Sequence, residues 1–307
     1  KIMTNKVIVG SRKSKLAMAQ TKLVIASLEK LFPEIEFEIK NVITEGDRNR
    51  HASLAKIGGK GVFVKEIEDE LKNCTIDFAV HSLKDVMPVL PEELVLGAFP
   101  KRVSPYDCLI SRKNLSSMND LPKGARIGTN SLRRQGQLLS IRPDLKIIPI
   151  RGNIDTRLRK IDTEALDGII LAEAGLTRLN IDLSNYHILN LQNYVMPAVG
   201  QGCLAIECRK NDTRIRQMLD RINDEESAYC VQIEREFMRE LGGSCNFPIG
   251  GHAYAKNGQI LFDGLIASPN GEHVIKETKI PANNSGVGKK VADQLLAKDK
   301  FGIIEGE

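Results

Sequence analysis

Along the first two thirds of the chain, short apolar runs rich in β-branched residues alternate with stretches whose apolar positions recur at helical spacing. This pattern predicts strands over residues 7–10, 37–43, 76–80 and 94–99, with helices over 15–31 and 62–71. Consecutive βα units wind into a mostly parallel sheet, and their binding loops gather at the carboxyl ends of the strands. In Pro100-Lys101-Arg102-Val103-Ser104-Pro105 two prolines bracket charged residues and break the periodicity, so the stretch reads as a linker. A second α/β block has strands predicted over 108–111, 125–128, 146–150 and 168–171, with a helix over 131–141. The turn-rich Met196-Pro197-Ala198-Val199-Gly200-Gln201-Gly202 then precedes a strand over 203–207, which reads as a return crossing between the blocks. Two crossings make a hinge. A long amphipathic helix over 225–241 opens a closing α+β module. In it, Asn257-Gly258 joins strands over 252–255 and 260–267 as a hairpin, and a helix follows over 286–297. The sequence shows neither an internal repeat nor a low-complexity tract.

Composition narrows the class. A chain of 307 residues exceeds what one hydrophobic core usually serves, and 42% hydrophobic with 27% charged residues is ordinary for globular domains. The net charge of +5 and pI near 8.8 suit an anionic partner. The cations are mostly single arginines beside Gly, Ser or Thr, an arrangement for small anions rather than a long polyanion. With five Tyr and no Trp, base stacking is poorly served, and no nucleic-acid partner is expected. No run of about 18 apolar residues and no signal-peptide core occurs, which leads us to expect a cytoplasmic protein without a membrane partner. Lys1 and Ile2 precede Met3 and are left out of the fold argument. The cysteines at 74, 108, 203, 208, 230 and 245 contain no CxxC pair, so neither a metal site nor a disulfide framework is expected.

Several segments could carry chemistry. Ser11-Arg12-Lys13-Ser14 follows a predicted strand and opens a helix, where backbone N–H groups and the helix dipole favour an anion; a solvated N-cap with incidental charges reads as well. Lys56-Ile57-Gly58-Gly59-Lys60-Gly61-Val62-Phe63 lacks the spacing of a nucleotide phosphate loop, leaving either a mobile glycine loop that carries lysines to an anion or an ordinary loop. His81-Ser82-Leu83-Lys84-Asp85 follows an apolar strand. A carboxylate among cations there stays ionised and can offset positive charge in a substrate, although a turn aspartate capping amides is equally compatible. Gly128-Thr129-Asn130-Ser131-Leu132-Arg133-Arg134 and Arg151-Gly152-Asn153-Ile154-Asp155-Thr156-Arg157 each combine a strand end with hydroxyl or amide groups and guanidiniums, and Arg178 adds another cation. Guanidiniums converging at strand ends repel one another unless anions neutralise them, so the set points to a small polyanion. Cys245 stands in a turn among Gly242, Gly243, Pro248 and Gly250. It is therefore more accessible than a core thiol, yet a free cysteine is more often a small core residue than a nucleophile or covalent anchor.

Taken in order, Gly10 to Ser14, Gly58 to Phe63, His81 to Asp85, Gly128 to Arg134, Ile150 to Arg157, Pro197 to Gly202 and Gly243 to Gly250 resemble the hydroxymethylbilane synthase family over nearly the whole chain. The resemblance implies an α/β fold: two periplasmic-binding-protein-like domains (3–102 with 199–222, and 103–198) around a central cleft, plus a smaller α+β C-terminal domain (223–307). It implies a dipyrromethane cofactor joined to Cys245 by a thioether, and porphobilinogen as substrate. Asp85 would be the catalytic acid, assisted by Lys84. Ser82, Lys84, Thr129, Ser131, Arg133, Arg134, Arg157 and Gly202 would hold the cofactor, while Arg12, Ser14, Arg151, Arg157, Arg178 and Gln201 would hold the incoming substrate. Lys56, Lys60 and Phe63 would belong to a mobile loop. Loss of ammonia from porphobilinogen leaves a cationic species that an ionised Asp85 can stabilise, and each pyrrole brings two carboxylates for the arginines. The resemblance also implies that the product passes to uroporphyrinogen-III synthase.

Two positions depart from the family pattern: Val86 and Met87 separate Asp85 from Pro88, and Ser244 stands where glycine is usual before the cysteine. Neither alters a charged group. A monomer is expected, because no long heptad run or exposed apolar stripe stands out. The rival reading is a non-catalytic hinged receptor for a small polycarboxylate, from which a pyrrole adduct on Cys245 would distinguish the enzyme.

Overall fold

The computed structural model describes residues 5–48, 63–243 and 247–304. In chain order the first elements are β1 (Lys6–Ser11), α1 (Lys15–Leu31), β2 (Glu36–Asn41), α2 (Glu45–Arg48), α3 (Lys65–Lys72), β3 (Phe78–Ser82) and β4 (Leu94–Ala98). There follow β5 (Asp107–Ser111), β6 (Arg126–Gly128), α4 (Leu132–Ile141), β7 (Lys146–Ile148), α5 (Ile154–Thr163), β8 (Gly168–Ala172), α6 (Glu173–Leu179) and β9 (His187–Asn190). The last third holds β10 (Leu204–Arg209), α7 (Thr213–Asp220), α8 (Glu225–Glu240), β11 (Ile249–Lys256), β12 (Gln259–Ala267), β13 (Val274–Pro281) and α9 (Val287–Lys298). No described helix is long and apolar enough to cross a membrane.

The chain forms two compact units, Lys1–Arg102 with Cys203–Tyr229, and Val103–Gly202 with Cys230–Glu307. The first is built on a five-stranded sheet of order β2-β1-β3-β10-β4. Its central strands β1 and β3 are buried nearly throughout, as strands covered on both faces must be, whereas edge strand β2 is largely exposed or half-buried. Helix α1 turns one face to this sheet through Val24, Ile25 and Leu28, which join Val7, Val9, Phe78, Ile206 and Leu219 in one core. On the other side α3 contributes Ile67 and Leu71 to a smaller core with Ile76 and Ala79.

The second unit contains a five-stranded sheet of order β7-β6-β8-β5-β9 and a three-stranded antiparallel sheet of order β11-β12-β13. The five-stranded sheets share one topology. In each, three strands run parallel (β2, β1, β3; β7, β6, β8), the fourth is antiparallel to its neighbours (β10; β5), and the fifth closes the edge. A repeated architecture is thus present without a legible sequence repeat. The expectation of mostly parallel sheets holds: four strands of each sheet run the same way, and the strand that enters just after residue 102 or residue 202 runs against them.

The three-stranded sheet shares a unit with the second five-stranded sheet for visible reasons. Helix α4 packs against β12 and β13, so closely that a Cβ on Gly136 would stand 2.6 Å from the Ser268 carbonyl oxygen. Glu234 on α8 is fully buried and accepts hydrogen bonds from the Gly200 N–H (2.8 Å) and the Ala253 N–H (3.0 Å), fastening the 196–202 turn to β11. Around it Phe237 meets Phe262 edge to face at 5.1 Å in the core that α8 and α9 form with the sheet. The hairpin at Asn257-Gly258 forms as expected: both residues have positive φ (51° and 75°), the type I′ geometry that Asn-Gly favours. Strand β13, absent from the sequence reading, is polar through its middle, Lys276 to Lys279, and gave no apolar run.

Cysteine placement follows the cores. Cys108, Cys203, Cys208 and Cys230 are buried and Cys74 is exposed. Burial, reinforced by the carboxylates of Glu173 and Asp107, pushes the Cys108 thiol up to about 12, and burial pushes Cys208 up to about 11. Thiolate is therefore scarce at both. We expect iodoacetamide at neutral pH to alkylate Cys74 in the native protein while Cys108 and Cys208 react only after denaturation; peptide mass mapping of both samples checks this, and native labelling of Cys108 would contradict the packing.

Candidate functional site

In the first unit, chemistry concentrates at the carboxyl ends of β1 and β3. Strand β1 ends at Ser11, whose buried hydroxyl accepts a hydrogen bond from Thr21 Oγ1 at 3.1 Å. Ser14 then caps α1, accepting from the Ala17 N–H at 3.2 Å. Between them Arg12 is oriented rather than loose. Its Nε and Nη2 donate to the two oxygens of Asp47 at 3.2 and 2.7 Å, and its guanidinium lies over the Phe63 ring at 4.2 Å from the centroid. Thr44 Oγ1 donates to Asp47 at 2.7 Å. Burial works against ionisation of Asp47, but the hydrogen bonds from Arg12 and Thr44 prevail and hold its carboxyl below the usual carboxylate range.

Strand β3 runs directly into a one-turn 3-10 helix, Leu83–Asp85. Leu83 and Val86 are buried on either side of Lys84 and Asp85, while the Leu83 N–H donates to the Cys203 carbonyl and the Val86 N–H to the Leu83 carbonyl, both at 3.0 Å. The turn is thus anchored at both ends. Asp85 is exposed and Lys84 half-buried. Ser82 is tied to Gln20 of α1 at 3.1 Å. Val86, where the family pattern turns towards proline, has φ −81° and ψ 133°, extended backbone that preserves the end of the turn.

The second unit repeats the strand-to-helix device. Strand β6 ends at Gly128, the Thr129 N–H donates to the Ile148 carbonyl at 3.0 Å, and Ser131 caps α4 by accepting from the Arg134 N–H at 3.2 Å. The next two side chains carry the densest electrostatics of the unit. Arg133 Nη1 donates to Asp107 Oδ2 at 2.6 Å and to the Met196 carbonyl at 2.9 Å. Arg134 Nε donates to Asp107 Oδ1 at 3.0 Å, and its Nη1 to the Ile170 carbonyl at 3.0 Å. Asp107 is fully buried; Arg133 and Arg134 are 5% and 7% exposed. Burial presses the Arg134 guanidinium below its ordinary value, and Asp107 opposes that pressure. Gln201, expected as a substrate contact, is also fully buried, and its Nε2 donates to the Pro105 carbonyl (2.6 Å) and to Asp107 (3.1 Å). Its place is behind the arginines.

The remaining cations stand at neighbouring strand ends. Arg151 follows β7 and is half-buried. Arg157 on α5 donates through Nε to the Gly152 carbonyl at 2.8 Å, while Asn153 caps that helix. Arg178 on α6 donates through Nη2 to the Gly202 carbonyl at 2.8 Å, the same oxygen that accepts from the Val103 N–H. Gly202 has φ +83°, and a Cβ there would lie 2.5 Å from the Ser104 carbonyl oxygen, so this approach requires glycine. Lys56, Lys60 and Cys245 lie outside the described residues.

Sequence reasoning missed Asp47 and Asp107. Both had a signal. Asp107 opens the apolar strand Cys108-Leu109-Ile110, where a carboxylate persists only with a cation beside it, and Asp47 stands on α2, three residues beyond Thr44.

Residues 7–217 match the family model described as porphobilinogen deaminase, dipyrromethane cofactor binding domain, and residues 228–297 match porphobilinogen deaminase, C-terminal domain. The porphobilinogen deaminase of Limosilactobacillus reuteri (strain DSM 20016) is 94% identical over 305 residues, covering 99% of this chain and 100% of its own. That of Listeria welshimeri is 50% identical over 305 residues, covering 99% and 98%. Among solved structures, the periplasmic VFT2 domain of Bordetella pertussis BvgS is similar at 15% identity and TM-score 0.41, over 71% of this chain and 87% of that one. On its match to both domain models and its identity to these relatives, the chain belongs to the porphobilinogen deaminase family.

Proposed function

We propose that the chain is a hydroxymethylbilane synthase, a transferase that deaminates porphobilinogen and joins the pyrroles head to tail into a linear tetrapyrrole. The observation that carries this reading is Asp85: an exposed carboxylate beside Lys84, on a turn pinned by two buried apolar neighbours, in a chain of this family. A group that is anchored through its backbone and open at its side chain can deliver a proton to a departing amine. Its ionised form can then offset the positive charge left on the substrate's pyrrole.

The donor set fits a dipyrromethane cofactor. Arg133 and Arg134 share one carboxylate, Asp107, so the cluster retains an excess positive charge at the N-terminus of α4 beside the hydroxyls of Thr129 and Ser131. This suits the acetate and propionate groups of pyrroles. When bound, the cofactor supplies the primer on which the chain of pyrroles grows. Ser82, Lys84, Thr129, Ser131, Arg133, Arg134, Arg157 and Gly202 serve the cofactor side, with Cys245 as its attachment point. Arg12, Ser14, Arg151, Arg157 and Arg178 receive the incoming substrate, while Lys56, Lys60 and Phe63 serve as a loop over it. Gln201 acts through Arg133 and Asp107 rather than by touching substrate. Support for the substrate role of Arg12 lies in its fixed guanidinium, for which a porphobilinogen carboxylate competes with Asp47.

We read the chain as three domains, 3–102 with 199–222, 103–198 and 223–307, a division supported by one sheet in each. We place it in the cytoplasm as a monomer that passes its product to uroporphyrinogen-III synthase.

Intact mass of the protein from a host that makes porphobilinogen should exceed the polypeptide mass by a two-pyrrole adduct, absent from Cys245→Ser; an unmodified parent mass would refute the attachment. Asp85→Asn should lower kcat by about 100-fold or more while the adduct remains, and full turnover in that variant would remove Asp85 from the chemistry. Asp107→Asn leaves two buried guanidiniums without their carboxylate and should cost about 3–5 kcal/mol, read as a lower denaturant midpoint of the second unit.

A further inference from the structure

Behind the Asp85 turn lies a buried acid–base pair with no role in the chemistry above. In the pairing of β3 with β10, His81 lies opposite Ala205 and Glu207 opposite Ala79, which puts His81 and Glu207 on the same face of the sheet, two positions apart. His81 Nε2 stands 2.8 Å from Glu207 Oε2, with the side chains 7% and 0% exposed. The other carboxylate oxygen of Glu207 is buried without a hydrogen-bond partner among the described residues. From α3, Glu68 bears on both groups: burial, and then the charge of Glu207, push its carboxyl up to about 7, while His81 acts in the opposite sense and Lys72 and Asp69 contribute further.

A carboxylate removed from water is costly unless a cation or a proton accompanies it. His81 is the group that hydrogen-bonds to Glu207. With the second Glu207 oxygen unpartnered among the described residues, this hydrogen bond is the contact on which the placement of the carboxylate depends.

The end of β3 is fastened in three ways: the Leu83 N–H to the Cys203 carbonyl, Ser82 to Gln20, and His81 to Glu207, the one contact of the three between titratable side chains. Lys84 and Asp85 follow immediately. We propose that His81 and Glu207 are positioning residues for Asp85, holding the end of β3 on β10 so that the turn presents its carboxylate in one geometry. Removing either partner leaves the other buried without its hydrogen bond and loosens that end of the strand. The inference rests on the hydroxymethylbilane synthase reading for its catalytic readout, but not for the hold of the pair on the turn.

The test uses the protein carrying its natural cofactor and reads kcat and KM for porphobilinogen together with hydrogen exchange of the 81–86 amides. His81→Ala and Glu207→Ala should each lose about ten- to a hundredfold in kcat with KM unchanged, and the double variant should lose no more than either single one, because the two residues act as one contact. Exchange at Leu83 and Val86 should quicken in both variants. Parent-like kcat in either variant would overturn the proposal, as would losses that multiply in the double variant. If Glu207→Ala does not fold by circular dichroism, His81→Ala decides. A parent that never turns over porphobilinogen would refute the proposed function instead, and hydrogen exchange would still decide whether the pair holds the turn.

Discussion

One buried carboxylate facing two guanidiniums organises the second unit. Asp107 opens β5, Arg133 and Arg134 open α4, and Gln201 arrives from the turn before β10, so a single side chain binds three stretches of chain distant in sequence. Desolvating such charges is expensive, and a hydrophobic cluster would hold the same segments as well or better. What a hydrophobic cluster lacks is charge, and here two guanidiniums meet one carboxylate at the N-terminus of α4. The first unit balances its charges differently: Arg12 and Asp47 pair one to one, and Asp47 is further engaged by Thr44.

The two five-stranded sheets show why the cations fall where they do. In each sheet one parallel strand ends and its helix starts within a few residues, with a serine cap in place, Ser14 before α1 and Ser131 before α4. Arg12, Arg133 and Arg134 owe their placement to this shared geometry and Arg151 follows β7 in the same manner, whereas Arg178 reaches the Gly202 carbonyl from the last turn of α6.

What could be read from sequence divides along the same line. Periodicity and local turn chemistry are short-range, and they located α1, α4, α8, the Asn257-Gly258 hairpin and every cationic strand end. Long-range pairing left no local trace. Nothing in 203–207 indicates that its strand inserts antiparallel between β3 and β4, and nothing around Gln201 indicates that its carboxamide faces inward to Pro105 and Asp107. The polar edge strand β13 and the short helices α2, α6 and α7 carry too few periodic positions to stand out. Cys245 shows the opposite case, where ordered motifs rather than physics identified the residue.

The three aspartates differ in what their surroundings allow. Asp107 has both oxygens engaged by guanidiniums and no exposure, so any proton it took up would break the cluster. Asp47 is held ionised by Arg12 and Thr44, which fits it to orient a cation and unfits it to carry protons near neutral pH. Asp85 alone combines a rigid backbone with an exposed carboxylate: its turn is fixed by Leu83 and Val86 while its side chain meets solvent. Proton transfer requires a group whose protonated and ionised forms are both attainable and whose position does not change between them. In the role proposed for Asp85, that constancy of position would come through the chain behind it, from the apolar anchors Leu83 and Val86, which leave the carboxylate exposed.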